Sequence, residues 1–131
     1  MRTMENEYRK ISVVKEWERD GLKYHVAYVE WSEFLRNIGR MHDHYSGYVT
    51  FPECPIAEDG YDNEAIRSID VHGGITYAVE EDDGSYTYGF DCAHLYDEFD
   101  TDTQDLDWLT AECESMGRQI IELAARESDG E

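Results

Sequence analysis

Asp83-Gly84 stands between two runs rich in Ile, Val, Thr, Tyr and Phe, and this pair constrains the fold more than any other feature of the chain. Asp-Gly in that setting signals a two-residue type I′ hairpin turn, whose central residues both need φ > 0. The spacing predicts antiparallel strands over 69–79 and 85–93. With Asp83 and Gly84 as the loop, Val79 faces Tyr88, Tyr77 faces Phe90 and Ile75 faces Cys92, which makes one face apolar. Thr76, Ala78, Thr87, Gly89 and Asp91 fall on the other face.

An interior glycine in a strand marks a bulge or a close approach of the backbone, so Gly73-Gly74 draws attention to its neighbours. A single extra residue there would turn His72 to the face of His94, with Cys92 one pleat away. His72, Gly73, Gly74, Asp91 and His94 are therefore the candidate ligand-binding residues, and His72, Asp91 and His94 the candidate catalytic ones. His72, Cys92 and His94 are the candidate metal ligands, a set suited to zinc. No cofactor is predicted, and the plainer reading of Cys92 is core packing. His42-Asp43-His44 forms a weaker metal candidate: His-x-His sets two imidazoles on one side of an extended segment, where Asp43 can orient one.

The blocks His72-Gly73-Gly74-Ile75-Thr76-Tyr77 and Gly89-Phe90-Asp91-Cys92-Ala93-His94 resemble a group of small phage and prophage proteins of unassigned function. The resemblance extends to Gly47-Tyr48-Val49 with Pro52 before them, and to Asp105-Leu106-Asp107-Trp108-Leu109 with Ala111-Glu112-Cys113 after them. It covers roughly residues 47–123. It implies a viral or mobile-element setting and carries no activity with it.

The 131 residues suit one domain with its own core. Cys54, Cys92 and Cys113 leave an odd thiol under any pairing, which favours a reducing compartment. No apolar run reaches the length of a membrane span, and MRTMENEYRK has no apolar signal core. The expected location is the cytoplasm of a host cell, or else a virion. The 31 acids against 11 bases give a charge of -20, which excludes direct binding to a nucleic-acid backbone as the main mode. Arginine outnumbers lysine 8 to 3, and the composition resembles that of salt-in haloarchaeal proteins. The competing reading is an acidic surface that imitates nucleic acid before a basic protein groove.

Asp20-Gly21 marks a second hairpin over 11–31, which pairs Trp17 with Tyr24, Val13 with Tyr28 and Glu18 with Lys23, with Glu16 and His25 beside that last pair. Residues 1–10 are expected to fray or to join a first strand. Ser32 caps a short helix near 32–39 with Phe34, Leu35 and Ile38 as its buried stripe, ended by Gly39. A middle strand runs from Gly47 to Phe51, and 53–67 reads as a loop in which Tyr61 and Asp62 are pocket candidates. Six acids from Asp97 to Asp107 lead into the clearest helix, 104–126, and cap its start; its stripe is Leu106, Leu109, Cys113, Met116, Ile120, Leu123 and Ala124.

The expected fold is a single α+β domain over 1–127 with a disordered tail at 128–131. An antiparallel sheet of about five strands, two hairpins plus a middle strand, is covered by the long C-terminal helix. The expected function is binding without turnover, by the acidic surface or by the glycine-histidine pocket. The partner is a host or defence protein with a basic surface, or a small ligand, and no membrane is involved. One alternative is a small hydrolase with His72 or His94 as base, Asp91 as orienting group and Cys92 as nucleophile or metal ligand. Another is a virion structural or assembly protein.

Overall fold

The computed structural model describes residues 3–39, 42–56, 64–93 and 102–129. Six strands form one antiparallel sheet: β1 (Thr3–Glu5), β2 (Arg9–Arg19), β3 (Leu22–Trp31), β4 (His44–Phe51), β5 (Tyr77–Glu80) and β6 (Tyr86–Asp91). Their order is β1-β2-β3-β4-β6-β5. Helix α1 (Glu33–Gly39) links β3 to β4, the single-turn α2 (Glu64–Arg67) precedes β5, and α3 (Leu106–Asp129) packs on one face after a 3-10 turn at Asp102–Gln104. The α+β class and the covering helix are as expected. The sheet gains a strand because Thr3–Glu5 folds back on β2, through a turn in which the Asn6 side chain accepts hydrogen bonds from the Tyr8 and Arg9 amides.

The first hairpin closes as its sequence predicts. Asp20 and Gly21 both have positive φ, 53° and 79°, and the pairs Trp17 with Tyr24 and Glu18 with Lys23 follow. Farther from the turn, Val13 pairs with Ala27 and not with Tyr28, because the register shifts between Val13 and Lys15. Val14 is the extra residue of a β-bulge, and it packs against the core.

The second hairpin departs from expectation by one residue. Gly84 donates to the Glu81 carbonyl and Glu81 to the Ser85 carbonyl, so the loop is Asp82-Asp83-Gly84, with Gly84 alone at positive φ. This is a type I turn followed by a glycine bulge, in which Asp83 is held by the amide and hydroxyl of Ser85. The longer loop pairs Ala78 with Tyr88 and Val79 with Thr87, which reverses the faces of β5. Tyr77 and Val79 therefore point away from the core, at 38% and 39% exposure.

Only Tyr77, Ala78 and Val79 of the strand expected over 69–79 belong to the ladder, in β5, which runs on to Glu80, although Thr76 still donates to the Gly89 carbonyl. Gly73 and Gly74, at φ of 69° and 80°, form a tight turn in which Gly74 donates to Val71. The segment before it lies along α3. The Gln119 amide accepts from the Asp70 N–H and donates to its carbonyl, and Glu112 accepts from the His72 N–H. Two side chains one heptad apart on α3 thus take over backbone groups that a strand partner would have satisfied. Ile69, Val71 and Ile75 are buried as a result.

Alternation sends Leu22, Tyr24 and Val26 of β3, Val49 and Phe51 of β4, and Tyr86, Tyr88 and Phe90 of β6 into the core below α3. The stripe Leu109, Cys113, Met116, Ile120 and Leu123 meets them, with Leu106 outside it at 38% exposure. Gly47 permits the close approach of helix and sheet: a Cβ there would stand 2.6 Å from Cys113 Sγ. Burial pushes the Cys113 thiol up to about 12, as befits a packing residue. Asp105 caps α3 by accepting from the Asp107 amide, and the helix continues to Asp129, two residues into the expected tail.

Ser32 caps α1 as expected, through its hydroxyl to Leu35. The stripe assigned to α1 is not buried, however: Phe34 and Ile38 are 66% and 67% exposed. None of the seven residues of this helix is buried. Among the described residues, no helix is long and apolar enough to cross a membrane.

Candidate functional site

The sheet face opposite α3 carries the candidate site. Alternation places His44, Ser46, Tyr48 and Thr50 of β4 on this face, opposite the core positions Gly47, Val49 and Phe51. The ladders align them in rows across the sheet. One row runs Val13, Ala27, Ser46, Asp91; on one side of it lies Ile11, Val29, His44, and on the other His25, Tyr48, Gly89, Tyr77. A cavity of about 540 Å³ is lined by residues of all six strands, which requires this face to curl inward.

The middle row is its floor. Ala27 and Ser46 are only 2% and 3% exposed although they lie opposite the helix, because the larger side chains of both flanking rows rise around them. One flank is aromatic: the His25 and Tyr48 rings stack at 4.5 Å, and Tyr77 meets Tyr48 edge-on at 5.5 Å. Gly89 makes room for this wall, since a Cβ there would meet Tyr48 Cδ1 at 2.5 Å. Burial holds the Tyr48 hydroxyl above its ordinary pKa.

The other flank ends in His44. Its Nδ1 lies 3.1 Å from the His42 carbonyl oxygen, so Nδ1 carries the hydrogen and Nε2 keeps its lone pair. Burial lowers the His44 pKa and keeps the ring neutral at pH 7. Asp91 closes the floor row. Its Oδ2 accepts from the Thr76 hydroxyl at 2.9 Å and its Oδ1 from the Ala93 amide at 3.0 Å. At the far rim, the Arg9 guanidinium lies 5.7 Å over the Trp31 ring.

A wider depression of about 860 Å³ shares His25, Glu81 and Thr87 with this cavity. Its rim carries Glu16, Glu18, Asp82 and Asp83 against Lys23, so the approach to the open face is acidic.

The His72 ring packs edge-on against Trp108 of α3 at 5.5 Å, on the helix side of the sheet. Cys92 is buried in the core at 1% exposure. Asp91 faces the cavity on the other side, so His72 and Asp91 are not brought together. Gly73 and Gly74 serve the turn beside α3 and do not line the cavity. His94 lies outside the described residues, as do Tyr61, Asp62, Asp97, Glu98 and Asp100.

His42 and His44 stand with ring centroids 6.0 Å apart beside a smaller cavity of about 320 Å³ that Cys92 also borders. Asp43 holds the His42 ring through its backbone carbonyl, 3.1 Å from Nδ1, while its carboxylate accepts from the Trp31 amide and pairs with Arg36, tying β3 to α1. Among the described residues, no three of His, Cys, Asp and Glu gather in a way that could hold a metal ion.

Comparison with protein-family models, curated proteins and solved structures gives no match. What the site can do therefore rests on its own geometry. Sequence reading missed Ala27, Ser46 and Tyr48 as cavity residues. The signal was present in His44-Tyr45-Ser46-Gly47-Tyr48-Val49-Thr50-Phe51, where polar and apolar positions alternate over the whole of β4.

Proposed function

We propose that the protein is a binding module that takes a small organic ligand into the cavity on the open face of its sheet, without turnover. The observation that carries this reading is the cavity itself, in which an aromatic wall of Tyr48 and Tyr77 faces an aliphatic one of Ile11 and Val29 above the small, buried Ala27 and Ser46. A concave, largely apolar site with a few fixed polar groups is the usual form of a small-molecule site. Here the fixed groups are Asp91, Ser46 and His44, gathered toward β4 and β6. The resemblance to phage and prophage proteins supplies the proposed setting, a small protein that sequesters a compound needed by a host or defence system.

The test is a fragment screen on the intact protein by ligand-observed NMR, repeated on Ala27→Phe, whose ring would fill the floor. Fragments that compete for one site on the native protein and lose binding to a folded Ala27→Phe variant support the reading. Fragments that bind both proteins alike overturn it.

A further inference from the structure

We infer that the ligand of this cavity is a cationic amine with an apolar body, its ammonium group donating hydrogen bonds to Asp91 and His44 while its body lies against the Tyr48 and Tyr77 wall. The inference rests on the binding reading above and adds the chemical class.

The polar end of the floor accepts hydrogen bonds. The Thr76 hydroxyl and the Ala93 amide both donate to the Asp91 carboxylate, which fixes the group on its strand at one end of the cavity. His44 stands diagonally across from it: Ser46 pairs with Asp91, and His44 precedes Ser46 by one pleat on the same face. With its Nδ1 hydrogen given to the His42 carbonyl, the imidazole presents Nε2 as an acceptor. A group that serves both needs several N–H donors and a positive charge, which an ammonium supplies.

The rest of the cavity suits the remainder of such a molecule. Val13 and Ala27 continue the floor away from Asp91, and the Tyr48 and Tyr77 rings offer π surfaces to a cation or to a flat apolar body. Among the described residues of the adjoining depression, five acids stand against Lys23, and the whole chain carries -20, so the field concentrates cations and repels anions. Arg9 is the one Lys or Arg among the described lining residues. It stands on β2 over the Trp31 ring, and its charge reaches the Tyr48 hydroxyl.

Three probes of matched shape test the assignment: 2-phenylethylammonium, 2-phenylethanol and phenylacetate, titrated by protein-observed NMR near physiological salt, where distant charges are screened. The expected result is that the ammonium binds roughly tenfold or more tighter than either other probe, with the largest shifts at Ser46, Tyr48 and Asp91. Asp91→Asn should abolish this preference and leave 2-phenylethanol binding within about twofold. Glu122→Gln, which removes one exposed charge on α3, should leave the ranking as it was.

Equal binding of the three probes overturns the amine assignment and leaves the cavity reading standing. So does tighter binding of phenylacetate that is lost in Arg9→Ala. If Glu122→Gln costs as much as Asp91→Asn, the attraction belongs to the net charge and the assignment fails. Shifts that lie elsewhere, or no binding by any probe, count against the cavity itself. Should Asp91→Asn fail to fold, the ranking on the native protein decides.

Discussion

The Tyr48 ring lies across Gly89, with its Cδ1 2.5 Å from the place a β-carbon on residue 89 would occupy. Glycine is required at this position by the ring above it. Gly89→Ala should therefore displace Tyr48 and destabilise the protein by about 1–3 kcal/mol, as overpacking does. Urea denaturation measures the loss. Combining it with Tyr48→Ala should give much less than the sum of the two single effects, because the clash is then gone.

Gln119 acts as a clamp on the segment before β5. Gln119→Ala removes two hydrogen bonds to the Asp70 backbone, whose exposed groups water can then solvate, so the expected cost is about 1 kcal/mol. Amide hydrogen exchange should accelerate at Asp70 and His72, with the β2 to β4 ladder unaffected. Uniform acceleration across the sheet would contradict the clamp.

His44 gives the stability a pH dependence of known sign. Its pKa in the folded chain lies below the ordinary value of 6.5. As pH falls through that value the unfolded chain gains a proton that the folded chain refuses, so stability declines with falling pH until His44 itself titrates. Above it, both states are neutral and the group contributes no slope. Denaturation between pH 8 and pH 5.5 should show this decline, and His44→Asn should lessen it.

The three thiols should differ in reactivity. Cys92 and Cys113 are buried, Cys113 with its thiol pushed up to about 12, whereas Cys54 is partly exposed. Alkylation of the native protein near pH 8 should modify Cys54 first, and mass spectrometry should find Cys92 and Cys113 modified only once denaturant is added. Early modification of Cys113 would mean that α3 opens readily.

The elements whose local chemistry is self-sufficient were legible in the sequence. Asp20-Gly21 set its hairpin register, and the three-to-four spacing from Leu109 to Leu123 marked the buried face of α3. Registers that depend on a single extra residue were not: Val14 and the three-residue loop ending at Gly84 each shift a pairing by one, and nothing local distinguishes them from the simpler alternatives. The segment 69–75 carries strand-forming residues, but its backbone bonds go to Gln119 and Glu112, more than 35 residues away in the chain. The cavity was the least legible part, since Ala27, Ser46 and Asp91 become neighbours only when three separate strands align.

Val14 has a wider consequence. Residues Val13 and Lys15 pair with the adjacent Ala27 and Val26, so deleting Val14 would keep every rung of the β2–β3 ladder in place. A bulge bends its strand and tightens the local twist. One valine thus sets the depth of the bowl: a shortened chain would keep its neighbours, flatten at this strand and spread its hollow into a shallow plate.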